Sequence, residues 1–378
     1  MAEEKVREFY LPTRIIFGVG SLSTLGKEAK KLGEKALVIG GRKSFEAYFK
    51  PKVESLLEKE GIKLSFFYGW EGEPDTEIVE EGRRIGEKEK VDFIIAIGGG
   101  SVIDCGKAIS GVIGKKGSVE EFLEGKELPP SPLPFIAIPT TAGTGSEVTN
   151  NAVLINKKKI YKKSLRASFL NPKLAIVDPV LTLTLPPHIT AYTGLDALAQ
   201  LIEAYVSQGS NPITDSFCIK GLQFISRSLK KAFENGEDIS HRYNMSLAAL
   251  LSGMALTNAG LGAVHGLAHP IGVRWGIPHG LICGVLLPHV VRFNMEYCKK
   301  KYAELCQILT GIKDAYHLPI FLTQLLWDLG INDRLRNWGI KERDLEWIAE
   351  SSFSGSMLKN PRKPNKDELV KEILVPCL

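Results

Sequence analysis

The chain predicts an α/β N-terminal half built on a parallel, doubly wound sheet, followed by an all-α C-terminal half. Three observations carry that reading. Short β-branched runs with glycines at their ends alternate with helical periodicity through the first half. Pro179, Pro186 and Pro187 then punctuate the chain. Beyond them, residues 190–206, 213–233 and 241–258 carry helix-like apolar spacing with small residues that permit close packing. The expected domains are therefore residues 1–185 and 186–378.

Taken in order, residues from Tyr10 to Phe17 read as a β-ribbon leading into the sheet. Lys35 to Ile39 is a short strand ending in Gly40 and Gly41, and residues 44–60 show helical periodicity. Lys63 to Tyr68 forms a second strand, Thr76 to Glu89 a charged amphipathic helix, and Asp92 to Ile97 a buried strand. Phe135 to Ile138 is another strand, which opens at Pro139 into a Thr/Gly-rich loop. The lysine run from Lys157 to Lys163 reads as a solvated loop, and no strand is expected after Pro187.

With 378 residues the chain can bury a core without disulfides. A net charge of +5 is too mild to argue for a nucleic-acid partner. The six cysteines show no C-x-x-C pair and most lie in apolar stretches, so they read as buried free thiols. Charge from Glu3 onward argues against a signal peptide, and apolar runs such as Leu281 to Val291 are broken well short of a membrane span. A cytoplasmic protein with no membrane partner is expected.

Two loops carry binding chemistry. Gly98, Gly99, Gly100 and Ser101 join a buried strand directly to a helix that includes Asp104. Glycines there let backbone approach a ligand, and a helix start offers free N–H groups and a positive dipole end. The spacing is not G-x-G-x-x-G, and a tight strand–helix turn is the bland alternative. The second loop, with Thr140, Thr141 and Thr144 among glycines, follows another strand. Two such loops at the carboxyl edge of a parallel sheet form a dinucleotide crevice. The first strand ends in Gly41, Arg42, Lys43 and Ser44, with no acid for a ribose hydroxyl and two cations for a 2′-phosphate. NADP is favoured, with NAD as the alternative and a solvated basic turn as the bland reading.

The third feature is a set of potential metal ligands. Asp196 and Gln200 sit at i and i+4 on one helix face, His265 and His269 repeat the spacing, and His279 follows. One carboxylate with imidazoles suits Fe²⁺ or Zn²⁺ rather than calcium or magnesium. Gly266 after His265 rules out the zinc-protease helix, and Pro270 is expected to stop a regular helix. Histidines satisfied within a core remain the competing reading.

These motifs resemble, end to end, the iron-containing (group III) alcohol dehydrogenase family, relatives of glycerol dehydrogenase and dehydroquinate synthase. The resemblance runs through the opening residues 9–20, the Gly-Gly-Gly-Ser-x-x-Asp turn at 98–104 and the Pro-Thr-Thr-x-Gly-Thr-Gly-Ser-Glu loop at 139–147. It continues through residues 175–179, 194–198 and 265–272, then Pro278-His-Gly280 and Leu287-Pro-His289.

The resemblance implies a dehydroquinate synthase-like fold with an NAD(P) domain and a helical metal-binding domain. It implies hydride transfer between NADP(H) and a small alcohol or aldehyde at an interdomain cleft, and a homodimer. Asp196, His265 and His279 match three of four metal ligands. Gly98, Gly99, Gly100, Ser101, Thr140, Thr141, Thr144 and Lys162 match dinucleotide positions, with Gly41 and Ser44 as in NADP-preferring members. Asp104 matches a position near the nicotinamide, and His269 a proton relay beside the metal. Gln200 stands where iron-binding members carry histidine. Three strong ligands with a water, a loosely held ion and a degenerate site all remain open. The alternatives in function are a glycerol- or polyol-type dehydrogenase and a non-catalytic NADP-binding member.

Overall fold

A computed structural model describes residues 8–42, 44–70, 72–159, 161–353 and 355–378. Its first unit, Pro12–Thr184, is organised around six parallel strands. These are β1 (Arg14–Phe17), β2 (Lys35–Gly40), β3 (Lys63–Tyr68), β4 (Phe93–Gly98), β5 (Phe135–Pro139) and β8 (Leu174–Val177), in the order β1-β8-β5-β4-β2-β3. Alternate residues along the strands feed two different cores, as a sheet covered on both faces requires. Ala36, Val38, Ile95 and Ile136 pack with Leu25 and Ala29 of α1 (Leu25–Lys30) and Val53 and Leu57 of α2 (Lys50–Glu58). Leu37, Ile39, Ile94 and Ala137 pack with α3 (Thr76–Glu89), α4 (Gly100–Val112) and α5 (Val119–Leu123).

Topology selects one edge of this sheet for ligand binding. From β2 the chain steps outward to β3, then returns to place β4 on the other side of β2. Such a reversal opens a crevice at the carboxyl ends of the two strands. Gly40 is in register with Ile97, and Gly98 with Pro139. The turns that start at Gly41, Gly99 and Thr140 therefore leave the sheet at one level.

Two sequence expectations change here. Residues 14–17 are not a ribbon but an edge strand of the main sheet, paired in parallel with Leu174–Val177. The lysine run is not a loop. It spans an antiparallel hairpin of β6 (Asn151–Asn156) and β7 (Tyr161–Arg166), whose inward residues Ala152, Leu154 and Leu165 join the core under α4. The turn lysines meet acids: Lys157 with Asp75 at 2.5 Å and Lys158 with Glu77 at 3.1 Å. The lysines of the turn and the adjacent pair Lys162 and Lys163 hid the strand.

The second unit comprises Leu185–Leu378 together with residues 8–11. Those first residues, expected with the α/β half, pack on helices instead: the Tyr10 N–H donates to Asn258 Oδ1 at 2.7 Å and the Phe9 ring lies 5.5 Å from that of Phe217. The helices are α6 (Pro187–Val206), α7 (Pro212–Glu234), α8 (Ile239–Ala259), α9 (Ala263–Trp275), α10 (His279–Phe293), α11 (Met295–Thr310) and α12 (Leu318–Asp328), followed by shorter ones. No strand occurs after Pro187 among the described residues, and no single helix is long and apolar enough to cross a membrane.

Pro270 does not stop α9, contrary to expectation. The helix loses one backbone hydrogen bond there, and the buried Leu267, Ala268 and Ile271 around the proline hold it together.

Candidate functional site

Helix α6 begins with Pro187 at its first position, where a missing N–H costs nothing. Its buried face then presents Asp196, Gln200 and Glu203, each at most 4% exposed. Helix α10 comes against that face through glycines. A methyl group on Gly280 would lie 2.0 Å from the Tyr192 carbonyl oxygen, and one on Gly284 2.8 Å from Leu195 Cδ1. Only glycine allows this approach, and the residues just before each glycine, His279 and Cys283, are thereby brought to Asp196.

Four donor atoms converge. Ligand atoms of Asp196, His265, His279 and Cys283 all lie within 4.8 Å of one another. His265 Nε2 is 3.2 Å from Asp196 Oδ1, and His279 Nε2 is 3.8 Å from it. Cys283 Sγ lies 3.8 Å from His265 Nε2 and 3.7 Å from His279 Nε2. His279 is the most exposed of the four at 23%, so the cluster is open on that side. His269 stands beside it, its ring edge-on to that of His279 at 5.7 Å.

The charges suit a cation. Burial alone would raise the Asp196 carboxyl, but the hydrogen bond from His265 and the nearby His279 hold it below the ordinary value. Burial also works against charging His265, yet Cys283, Glu203 and Asp196 push it well above the usual imidazole value. Burial lifts the Cys283 thiol to about 11. The pocket thus favours positive charge. A carboxylate, two imidazoles and a thiol fit a transition-metal ion.

Gln200 is turned to other work. Its amide oxygen, the atom a cation would need, accepts from Ser252 Oγ at 2.7 Å. The side chain also hydrogen-bonds to the Asp196 carboxylate and favours its charged form. Glu203 was not anticipated from sequence. Its Oε2 lies 2.5 Å from His265 Nδ1 and its Oε1 accepts the Val264 N–H at 2.7 Å. Such a carboxylate fixes the tautomer and raises the basicity of a ligating histidine. Its position seven residues after Asp196, on the same helix face, was the available signal.

In the α/β unit the two glycine-containing loops pack on each other. The Thr140 N–H donates to the Gly98 carbonyl at 2.9 Å. A methyl on Gly100 would lie 2.5 Å from Thr144 Cγ2, and one on Gly99 3.3 Å from Thr141 Cγ2. Ser101 occupies the first turn of α4, which Gly99 caps in extended conformation. Ser44 ends the turn after β2, and Gly41 faces Val102 across an ordinary contact distance.

Lys107, also missed by sequence reasoning, ties the second loop to α4. Its buried Nζ donates to Ser146 O at 2.8 Å, Thr149 Oγ1 at 2.9 Å and Asn151 O at 2.8 Å. Burial lowers this amine to about 8. Asp104 accepts from the Ser146 hydroxyl and, at 3.1 Å, from the Val153 N–H, while burial raises its carboxyl above the ordinary value. Lys162, only 7% exposed, is ion-paired to Glu73 at 2.6 Å.

A doubly wound sheet with paired loops at its reversal point, together with a buried Asp/His/His cluster, is the arrangement of a metal-dependent enzyme that binds a dinucleotide. Comparison with known proteins gives the family. The profile of iron-containing alcohol dehydrogenase matches residues 12–179, and that of the Fe-containing alcohol dehydrogenase family, C-terminal, matches residues 190–375. The chain belongs to the iron-containing alcohol dehydrogenase family. It is 36% identical to 1,3-propanediol dehydrogenase of Citrobacter freundii over 96% of this chain and 97% of that one. It is 32% identical to the NAD-dependent methanol dehydrogenase of Bacillus methanolicus, over 97% and 98% of the two chains. Among solved structures, alcohol dehydrogenase from Oenococcus oeni superposes with a TM-score of 0.93 at 34% identity, covering 99% of this chain and 100% of that one. The protein is an oxidoreductase acting on alcohols.

Proposed function

We propose that this enzyme interconverts a small alcohol and its aldehyde with NADP(H), and works chiefly as an aldehyde reductase. The observation that carries the proposal is the convergence of Asp196, His265 and His279 in a chain of this family. A bound Fe²⁺ or Zn²⁺ supplies Lewis acidity, which lowers the pKa of an alcohol and polarises a carbonyl.

The residues divide the remaining work. Asp196, His265 and His279 hold the ion, and Glu203 keeps the His265 ring turned toward it. His269, half-buried beside His279, moves the alcohol proton to or from solvent. Gly98, Gly99, Gly100, Ser101, Thr140, Thr141 and Thr144 cradle the diphosphate and nicotinamide half of the cofactor, with Lys162 beside them. Asp104 acts by anchoring the second loop through Ser146 and Val153. Gly41, Arg42 and Ser44 leave room and charge for the 2′-phosphate. The chain pairs with a second copy in a homodimer.

The test is steady-state aldehyde reduction by metal-loaded enzyme with NADPH and NADH, and the reverse reaction with primary alcohols and vicinal diols. Higher kcat/KM with NADPH and with primary alcohols supports the proposal. Preference for vicinal diols would move the enzyme to the polyol dehydrogenases, and preference for NADH would remove the cofactor assignment.

A further inference from the structure

We propose that Cys283, as a thiolate, is a fourth metal ligand beside Asp196, His265 and His279, forming an Asp/His/His/Cys set that selects Zn²⁺ over Fe²⁺. The proposal rests on the reading that this cluster holds the catalytic ion. It goes beyond that reading by naming the donor that Gln200 does not provide.

The geometry is that of a small tetrahedron. Bond lengths of about 2.0–2.1 Å to nitrogen or oxygen and about 2.3 Å to sulfur put tetrahedral N···O edges near 3.3 Å and S···N edges near 3.6 Å. The observed edges are 3.2 and 3.8 Å between Asp196 and the two imidazoles, and 3.8 and 3.7 Å from Cys283 Sγ to the same nitrogens. These four edges lie within a few tenths of an ångström of the tetrahedral values, and the two remaining donor pairs lie within 4.8 Å. The thiol is fully buried and its neighbours at this distance are ligand atoms. Gln200, by contrast, has its amide oxygen on Ser252.

Two features of α10 aim the sulfur. His279 and Cys283 are one turn apart and so share a helix face. Gly280 and Gly284, each next to one of them, set the helix directly on α6. Ligation breaks the S–H bond and releases that proton to solvent. A soft thiolate in a four-donor tetrahedral set favours Zn²⁺.

The experiment uses the full-length protein, stripped of metal and titrated with Co²⁺, alongside Cys283→Ser and Cys283→Ala. Wild type should bind one Co²⁺ with visible ligand-field bands and an intense near-ultraviolet thiolate-to-cobalt band. In both variants the near-ultraviolet band should vanish while the visible bands persist. Zn K-edge absorption of wild type should show one sulfur at about 2.3 Å among nitrogen and oxygen donors. With Zn²⁺ and Fe²⁺ in anaerobic competition, the variants should lose at least about tenfold in Zn²⁺ preference.

Stoichiometric Co²⁺ with visible bands alone, and a zinc spectrum of only nitrogen and oxygen donors, would overturn the assignment of Cys283 and leave the three-ligand site standing. Failure to bind Co²⁺ or Zn²⁺ at all would overturn both. An unchanged Zn²⁺/Fe²⁺ ratio in the variants would overturn the selectivity. The wild-type zinc spectrum decides the ligand even where a variant folds poorly.

Discussion

Glu203 Oε2 lies 2.5 Å from Nδ1 of His265, so the opposite nitrogen of that ring points at Asp196. A carboxylate here makes the ring a stronger donor and holds one tautomer. Glu203→Gln keeps the shape and a hydrogen-bond acceptor but removes the charge. Zn²⁺ affinity should fall about 10- to 100-fold, read by competition with a chromophoric chelator. An unchanged affinity would mean that Glu203 serves only the Val264 N–H.

His265→Ala removes a potential metal donor, while the two glycine-containing loops proposed to hold the nucleotide belong to the other unit. We expect kcat for aldehyde reduction to fall at least about 1000-fold, equivalent to roughly 4 kcal/mol of transition-state stabilisation. NADPH affinity, followed by nucleotide fluorescence, should stay within about threefold of wild type, a difference under 1 kcal/mol. Loss of both together would contradict two separate sites.

Glu147 is buried beside Lys107, and burial pushes its carboxyl up to about 7 from 4.5. Below pH 4.5 the folded and unfolded chains both hold this proton. As pH rises toward 7 the unfolded chain releases it first, so folding stability declines across that window. Glu147→Gln should abolish this decline. The variant should match wild type near pH 4 and exceed it by up to about 3 kcal/mol above pH 7, measured by urea unfolding across pH. A variant less stable at pH 8 would show that the ionised form is held by partners that outweigh burial.

Among the described residues, a Cβ at Gly41 would meet Val102 Cγ2 at 3.7 Å, an ordinary contact, so the position accepts a side-chain carbon. Gly41→Asp should repel a 2′-phosphate and accept hydrogen bonds from ribose hydroxyls. NADPH affinity should drop at least about tenfold while NADH affinity holds or improves, a differential of about 1.4 kcal/mol or more. Equal loss for both cofactors would place the 2′-phosphate elsewhere.

The sequence made the α/β alternation and the metal trio legible because their signals are local. Gly98 to Ser101 sits directly between a β-branched strand and a helix, and Asp196, His265 and His279 stand out as polar residues in apolar, glycine-rich surroundings. Cys283 was invisible for the opposite reason. A thiol in an apolar run looks like core, and it comes beside the other ligand atoms only because Gly280 and Gly284 set α10 on α6.

Similar contact-dependent information decided the rest. Lys107 and Glu203 act through partners 39 to 62 residues away in sequence, a relation that no local spacing encodes. Strand β1 was read as a ribbon because its parallel partner, Leu174–Val177, comes 160 residues later. Hairpin β6–β7 was masked by lysines that its turn projects toward Asp75 and Glu77.

The most direct measurement is an anomalous-scattering map from crystals of the Zn²⁺-loaded protein, recorded on both sides of the zinc edge. The account predicts one dominant peak per chain, about 2.0–2.3 Å from donor atoms of Asp196, His265, His279 and Cys283. A peak elsewhere, or none at this cluster in protein that turns over aldehyde, would contradict it.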